Sequence, residues 1–148
     1  MIVLVDGNST IYRAYFAIRG LSTSKSFPTN AIYGFVQTIN KIEKEFSPKS
    51  ISVAFDVAKK TFRNEIYKDY KAHRPPMPED LVVQIPKIKE FLKLKGIPIW
   101  EFENYEADDL IATVAKEFSK KDKVLIVSSD KDLFQLVDKN IMIYQAGK

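Results

Sequence analysis

The chain of 148 residues contains no cysteine and a single histidine, His73. Absence of cysteine excludes a disulfide framework and thiolate zinc sites, and one histidine excludes the multi-histidine metal centres. Any metal must therefore be held by carboxylates. No apolar run approaches the roughly 20 residues needed to span a bilayer, so no membrane partner is expected. The N-terminus shows neither the basic start nor the cleavable apolar run of a signal peptide, because Met1 leads straight into a short apolar run ended by a charge. The expectation is a soluble, cytoplasmic protein. At 45% hydrophobic and 28% charged residues the composition is ordinary for a globular protein. The length suits one domain with a real core and leaves no room for a second complete one.

What the chain does contain is acid at particular places. Ile-Val-Leu-Val stops on Asp6, Ile-Ser-Val-Ala-Phe on Asp56, and Val-Leu-Ile-Val-Ser-Ser on Asp130. Apolar strands rich in Val, Ile and Leu, alternating with segments of helical period, predict a parallel sheet buried on both faces. Ligands of such sheets bind outside the carboxyl ends of the strands, so the three aspartates should converge. Glu106, Asp108 and Asp109 fall in one helical turn, and Asp132 follows Asp130 by two residues. Like charges brought this close repel unless a proton or a cation intervenes. A hard cation with oxygen ligands, such as Mg²⁺, resolves the repulsion.

The pattern predicts strands over 2–5, 51–55, 97–100, 123–127 and 141–144. Helices are expected from Asn8 or Ser9 towards Gly20, over 30–46, over 79–95 and over 106–118, with a short one over 131–136. Gly7 is read as allowing a sharp turn after Asp6. Each acid also has a plainer explanation. An aspartate ending a strand often only caps the next helix, and acids in a first turn favour the helix dipole. One or two acids would serve that purpose at residues 106–109; three, with four more at strand ends, exceed it.

The net charge of +4 is unevenly spread, because between Lys59 and Arg74 six Lys or Arg face two acids. In a helix, Arg63, Tyr67, Tyr70, Lys71 and Arg74 lie on adjoining steps of three and four, forming a face of cations and rings suited to phosphates and bases. A solvated helix with buried tyrosines is the alternative. His73 carries no case for catalysis. An acidic pocket beside a basic segment suits a polyanion cut by metal ions.

Seven blocks in order, Val5-Asp-Gly-Asn, Tyr33-Gly-Phe, Ala54-Phe-Asp, Phe62-Arg, Tyr70-Lys-Ala-His-Arg-Pro, Tyr105-Glu-Ala-Asp-Asp-Leu and Asp130-Lys-Asp-Leu-Phe-Gln-Leu, run through the whole chain. Together they resemble the N-terminal part of the 5′ nuclease family, the 5′-3′ exonuclease domain of bacterial DNA polymerase I and related flap endonucleases, within the PIN-like group. The resemblance implies a three-layer α/β/α PIN-like domain over 1–148 with a mainly parallel sheet and a basic arch segment at 57–78. It implies a 5′-3′ exonuclease or flap endonuclease that uses Mg²⁺ or Mn²⁺, with two ions, on DNA bearing a 5′ flap, nick or free 5′ end, and a DNA polymerase domain as a possible companion. Asp6, Asp56, Glu106, Asp108 and Asp130 would surround the ions, with Asp109 and Asp132 completing the cluster. Lys71 and Arg74 would steer the scissile phosphate, Tyr70 would stack beside it, and Arg63 would contact phosphate. Two-metal hydrolysis would leave a 5′ phosphate and a 3′ hydroxyl.

In one respect the chain departs from the family. The Gly-Asp-x-x-Asp-Asn block and the helix-hairpin-helix region that follow in other members are absent from these 148 residues, so weak binding of the second metal, poor duplex binding and reduced activity are expected. Two other readings stay open. A PIN-type endoribonuclease would use fewer carboxylates and has no need of the segment from Phe62 to Arg74. A non-catalytic nucleic-acid-binding fragment would keep the acidic pocket only as a fold element.

Overall fold

The computed structural model describes residues 1–57 and 77–145. In chain order the elements are β1 (Ile2–Asp6), α1 (Gly7–Ala17), α2 (Asn30–Phe46), β2 (Ser50–Ala54), α3 (Glu79–Val82), α4 (Ile85–Leu94), β3 (Ile99–Trp100), α5 (Ala107–Phe118), β4 (Val124–Val127), a 3₁₀ helix (Lys131–Leu136) and β5 (Ile141–Tyr144). The basic segment, with Arg63, Tyr67, Tyr70, Lys71, His73 and Arg74, lies outside the described residues.

The five strands form one parallel sheet in the order β3-β2-β1-β4-β5. Side chains alternate between its faces, and each face has its own apolar core. Val3, Val5, Ile51, Val53, Leu125 and Val127 pack against α1, α2 and α4. On the opposite face Leu4, Ala54, Val124 and Ile126 meet Ala107, Ile111 and Ala115 of α5 and Leu133 of the 3₁₀ helix. The result is three layers, α/β/α, as the strand composition requires. Among the described residues no helix is long and apolar enough to cross a membrane.

The strand order fixes where a ligand can sit. From β1 the chain moves outward to β2 and β3, then returns to lay β4 on the other side of β1. The helices on the two paths lie on opposite faces, so a crevice opens between the carboxyl ends of β1 and β4. Asp6 ends one of these strands, and Asp130 lies three residues beyond the end of the other.

Three local expectations are corrected. Helix α1 is capped by Asp6, whose side chain accepts from the Ser9 backbone N–H, rather than by Asn8 or Ser9. Gly7 is not a left-handed turn residue, since the glycines with positive φ are Gly20 and Gly96. A Cβ at Gly7 would instead fall 2.5 Å from Phe55 Cε1 and 2.9 Å from the Ala54 carbonyl oxygen, so close packing demands glycine there. Finally, the helix expected over 79–95 is two helices, divided at Val83 and Gln84. Pro86, in the first turn of α4, has no N–H to bond back into a preceding helix.

Candidate metal centre

Three carboxylates from three elements meet in the crevice. Asp6, Asp108 and Asp130 each present one carboxylate oxygen, and these oxygens all lie within 4.8 Å of one another. Asp6 is delivered by β1 and is only 4% exposed. Its Oδ1 accepts from Ser9 N at 3.3 Å and its Oδ2 from the Ser128 hydroxyl at 2.8 Å. Asp108 stands in the first turn of α5. Asp130 caps the 3₁₀ helix, its Oδ1 accepting from Asp132 N at 2.9 Å. The Ser9 and Ser129 hydroxyls, 2.8 Å apart, fasten α1 to the turn after β4.

The other expected acids are not part of this trio, though the charge of Asp56 acts on Asp6 and Asp108. Asp56 lies two residues past the end of β2, and its Oδ1 accepts from Ala107 N at 2.8 Å, so it binds the first turn of α5. Asn8 Oδ1 in turn accepts from Asp56 N at 2.9 Å. Glu106 occupies the N-cap position of α5 and is buried, at 4% exposure. Asp109 is half-buried one residue beyond Asp108, and Asp132 is exposed. Asp6 and Asp130 both cap helices and also meet across the switch point, whereas Asp56, expected to converge with them, binds the start of α5 and Asp108 takes the third place. Sequence reasoning overlooked Ser128 as a partner of Asp6, although a polar residue closing a fully apolar strand was a signal.

The electrostatics show the strain of this arrangement. Burial pushes the Asp6 carboxyl up from 3.8 to about 6; hydrogen bonds from Ser128 and Ser9 oppose the rise, and the charges of Asp56 and Asp130 add to it. Asp108 rises to about 8, first through burial, then through a hydrogen bond with Asp130 and the charges of Asp6, Asp130 and Asp56. Either a proton on Asp108 or a cation among the three carboxylates would relieve the repulsion. All the donors are hard oxygens, which fit Mg²⁺ or Mn²⁺ and disfavour soft metals.

An open groove of about 550 Å³ runs from Asp130 past Ser9, Tyr12, Arg13 and Phe16. The rings of Tyr12 and Phe16 lie stacked at 6.3 Å and 15°, and Phe16 is 59% exposed.

Residues 1–148 match the family described as 5′-3′ exonuclease, N-terminal resolvase-like domain. The chain belongs to the 5′-3′ exonuclease family. A 5′-3′ exonuclease of Aquifex aeolicus is 53% identical over 141 residues, which cover 95% of this chain and 49% of that protein. DNA polymerase I of Caldicellulosiruptor bescii is 46% identical over 96% of the chain but only 17% of its own length. The chain thus spans about half of the exonuclease and about a sixth of the polymerase. The family fold is also seen in a bacteriophage T5 flap endonuclease in a pseudo-enzyme-product complex with DNA and metal ions. That match has a TM-score of 0.71 at 23% identity over 98% of this chain and 54% of the other. The T5 5′-exonuclease with bound zinc matches with a TM-score of 0.69 at 24% identity, over 98% and 55%. In this exonuclease-family domain, the acidic trio occupies the crevice that the strand order creates.

Proposed function

We propose that this chain is the metal-binding domain of a divalent-metal-dependent 5′-3′ exonuclease or flap endonuclease. It would hydrolyse phosphodiester bonds of DNA bearing a 5′ flap, nick or free 5′ end, in the cytoplasm, leaving 5′-phosphate products. The observation that carries the reading is the meeting of Asp6, Asp108 and Asp130 within 4.8 Å in a chain of this family. These three would hold a Mg²⁺ or Mn²⁺ ion, and Asp56, Glu106, Asp109 and Asp132 would support a second. When bound, such ions supply charge neutralisation and water activation for in-line displacement.

The chain's own residues perform the rest. Asp56 and Asn8 hold the start of α5, and therefore Asp108, against β1 and β2. The groove offers Arg13 to a phosphate and the exposed Phe16 ring to a base, the combination that single strands prefer. Lys71 and Arg74 would steer the scissile phosphate, and Arg63, Tyr67 and Tyr70 would contact the strand. Relatives named DNA polymerase I carry the matching region, which supports a linked polymerase domain as a partner. Turnover by these 148 residues alone is expected to be weaker than that of relatives twice as long.

The test is cleavage of a 5′-flap DNA in Mg²⁺ or Mn²⁺ by the wild type and by Asp108→Ala. Loss of one ligand in a metal site should lower the rate by about 100-fold or more. Cleavage that persists in Asp108→Ala, or a preference for RNA over flapped DNA, would overturn the reading.

A further inference from the structure

We infer that Ser128 is a positioning residue that sets the geometry of the metal centre by joining two of its ligands through one hydroxyl. The inference rests on the metal-centre reading above. Ser128 follows β4 and is 3% exposed. Its backbone N–H donates to Tyr144 O at 3.1 Å, which ties the residue to β5. Its hydroxyl donates to Asp6 Oδ2 at 2.8 Å and accepts from Asp130 N at 3.0 Å.

A hydroxyl has one hydrogen and two acceptor lone pairs. With the hydrogen directed to Asp6, the oxygen is left to receive the Asp130 N–H. Both contacts thus have a defined sense. Asp6 ends β1 and Asp130 follows β4, strands whose residues are separated by more than a hundred positions, and the Ser128 hydroxyl bonds to both. The Ser128 oxygen sets the rotation of one carboxylate and the backbone position of the other. Buried hydrogen bonds of this kind orient ligands and are costly to leave half-made. Ser9 and Ser129 fasten the outer side of the same turn, but their mutual contact reaches neither Asp6 Oδ2 nor Asp130 N.

The decisive experiment titrates Mn²⁺ into the metal-free protein, following the free ion by electron paramagnetic resonance and the melting temperature in parallel. Ser128→Ala should weaken Mn²⁺ binding by about 10–100-fold, as loss of a ligand-orienting partner does in other metal sites. Ser128→Thr, which keeps the hydroxyl, should restore binding to near the wild-type value. A residue needed only for folding would lower the metal-free melting temperature while leaving Mn²⁺ affinity unchanged. Should Ser128→Ala not fold, Ser128→Cys retains the volume with a much weaker donor and is expected to show the same loss. If wild type and Ser128→Ala bind Mn²⁺ equally while Asp130→Ala does not bind, the positioning role falls and the metal centre stands. If the wild type itself fails to bind, the metal centre falls and takes this role with it.

Discussion

Asp6, Gly7 and Asn8 are consecutive, yet each meets a different physical demand. Asp6 supplies a carboxylate and a helix cap, Asn8 fixes the Asp56 backbone, and Gly7 leaves space for the Phe55 ring. Only the demand on Asp6 was legible in the sequence: Asn8 advertised a hydrogen-bonding capacity but was read as a helix cap, and a missing Cβ reveals nothing about what fills its place. The glycine was noticed for the wrong reason, a turn, when the constraint is contact with a residue 48 positions away. Gly7→Ala puts a methyl group against both a ring and a main-chain carbonyl, and the carbonyl cannot rotate aside. Overpacking of this kind should cost about 2–3 kcal/mol, read as a lower urea midpoint. Because Phe55 precedes Asp56, Mn²⁺ affinity should fall as well. An unchanged midpoint would show that β1 and β2 can separate locally without penalty.

The helices show where periodicity suffices and where it fails. Helix α2 runs over the predicted residues, 30–46, because its apolar stripe of Phe35, Ile39 and Ile42 is continuous and buried. The segment 79–95 also carries an apolar stripe, yet its chain breaks at Gln84. Pro86 was the visible sign of the break, but the reason for it lies in tertiary structure. Thr29, at the N-cap of α2, makes no side-chain cap bond. Gln84, fully buried, provides the cap from outside the helix: its Oε1 accepts from Ala31 N at 2.8 Å and Ile32 N at 3.1 Å. Its Nε2 donates to Asn30 Oδ1 and Asp80 O, both at 2.8 Å, and Asn30 Nδ2 donates to the Tyr15 and Ile18 carbonyls. Two linked amides, Gln84 and Asn30, therefore join the end of α1, the start of α2 and the turn between α3 and α4. No rule of local spacing reveals a cap supplied from more than fifty residues away. Gln84→Ala would strand buried donors and acceptors, at a cost of about 2–4 kcal/mol. Urea unfolding should register that loss, and a variant within 0.5 kcal/mol of wild type, on the order of an ordinary surface change, would mean that water replaces the amide.

Among the described residues two sets of carboxylates have shifts of opposite sign, and the balance between them predicts how stability depends on pH and metal. At the acidic crevice Asp6 and Asp108 are raised to about 6 and about 8, whereas unfolded aspartates titrate near 3.8. Between these values the folded chain binds more protons than the unfolded chain, so stability from this region is complete below pH 4 and is lost as pH rises through 6 and 8. For Asp6, a rise from 3.8 to about 6 is worth at most about 3 kcal/mol. On the opposite rim of the sheet, Asp122 pairs with Lys49 at 3.0 Å and with the Met1 amine at 3.3 Å, and its carboxyl is held down at about 2. That group has the reverse sign: its contribution is present above pH 4 and is lost as pH falls towards 2. The metal-free protein should therefore melt highest near pH 4–5 and lower at pH 8. A divalent cation binds the ionised carboxylates of the folded chain alone, so it should raise the melting temperature strongly at pH 8 and scarcely at pH 5. Melting curves at both pH values, with EDTA and with Mg²⁺, test the whole scheme. If the EDTA sample is more stable at pH 8 than at pH 5, the carboxylates do not repel one another as their geometry requires. If Mg²⁺ stabilises both samples equally, the ion is not held by groups that must first lose a proton.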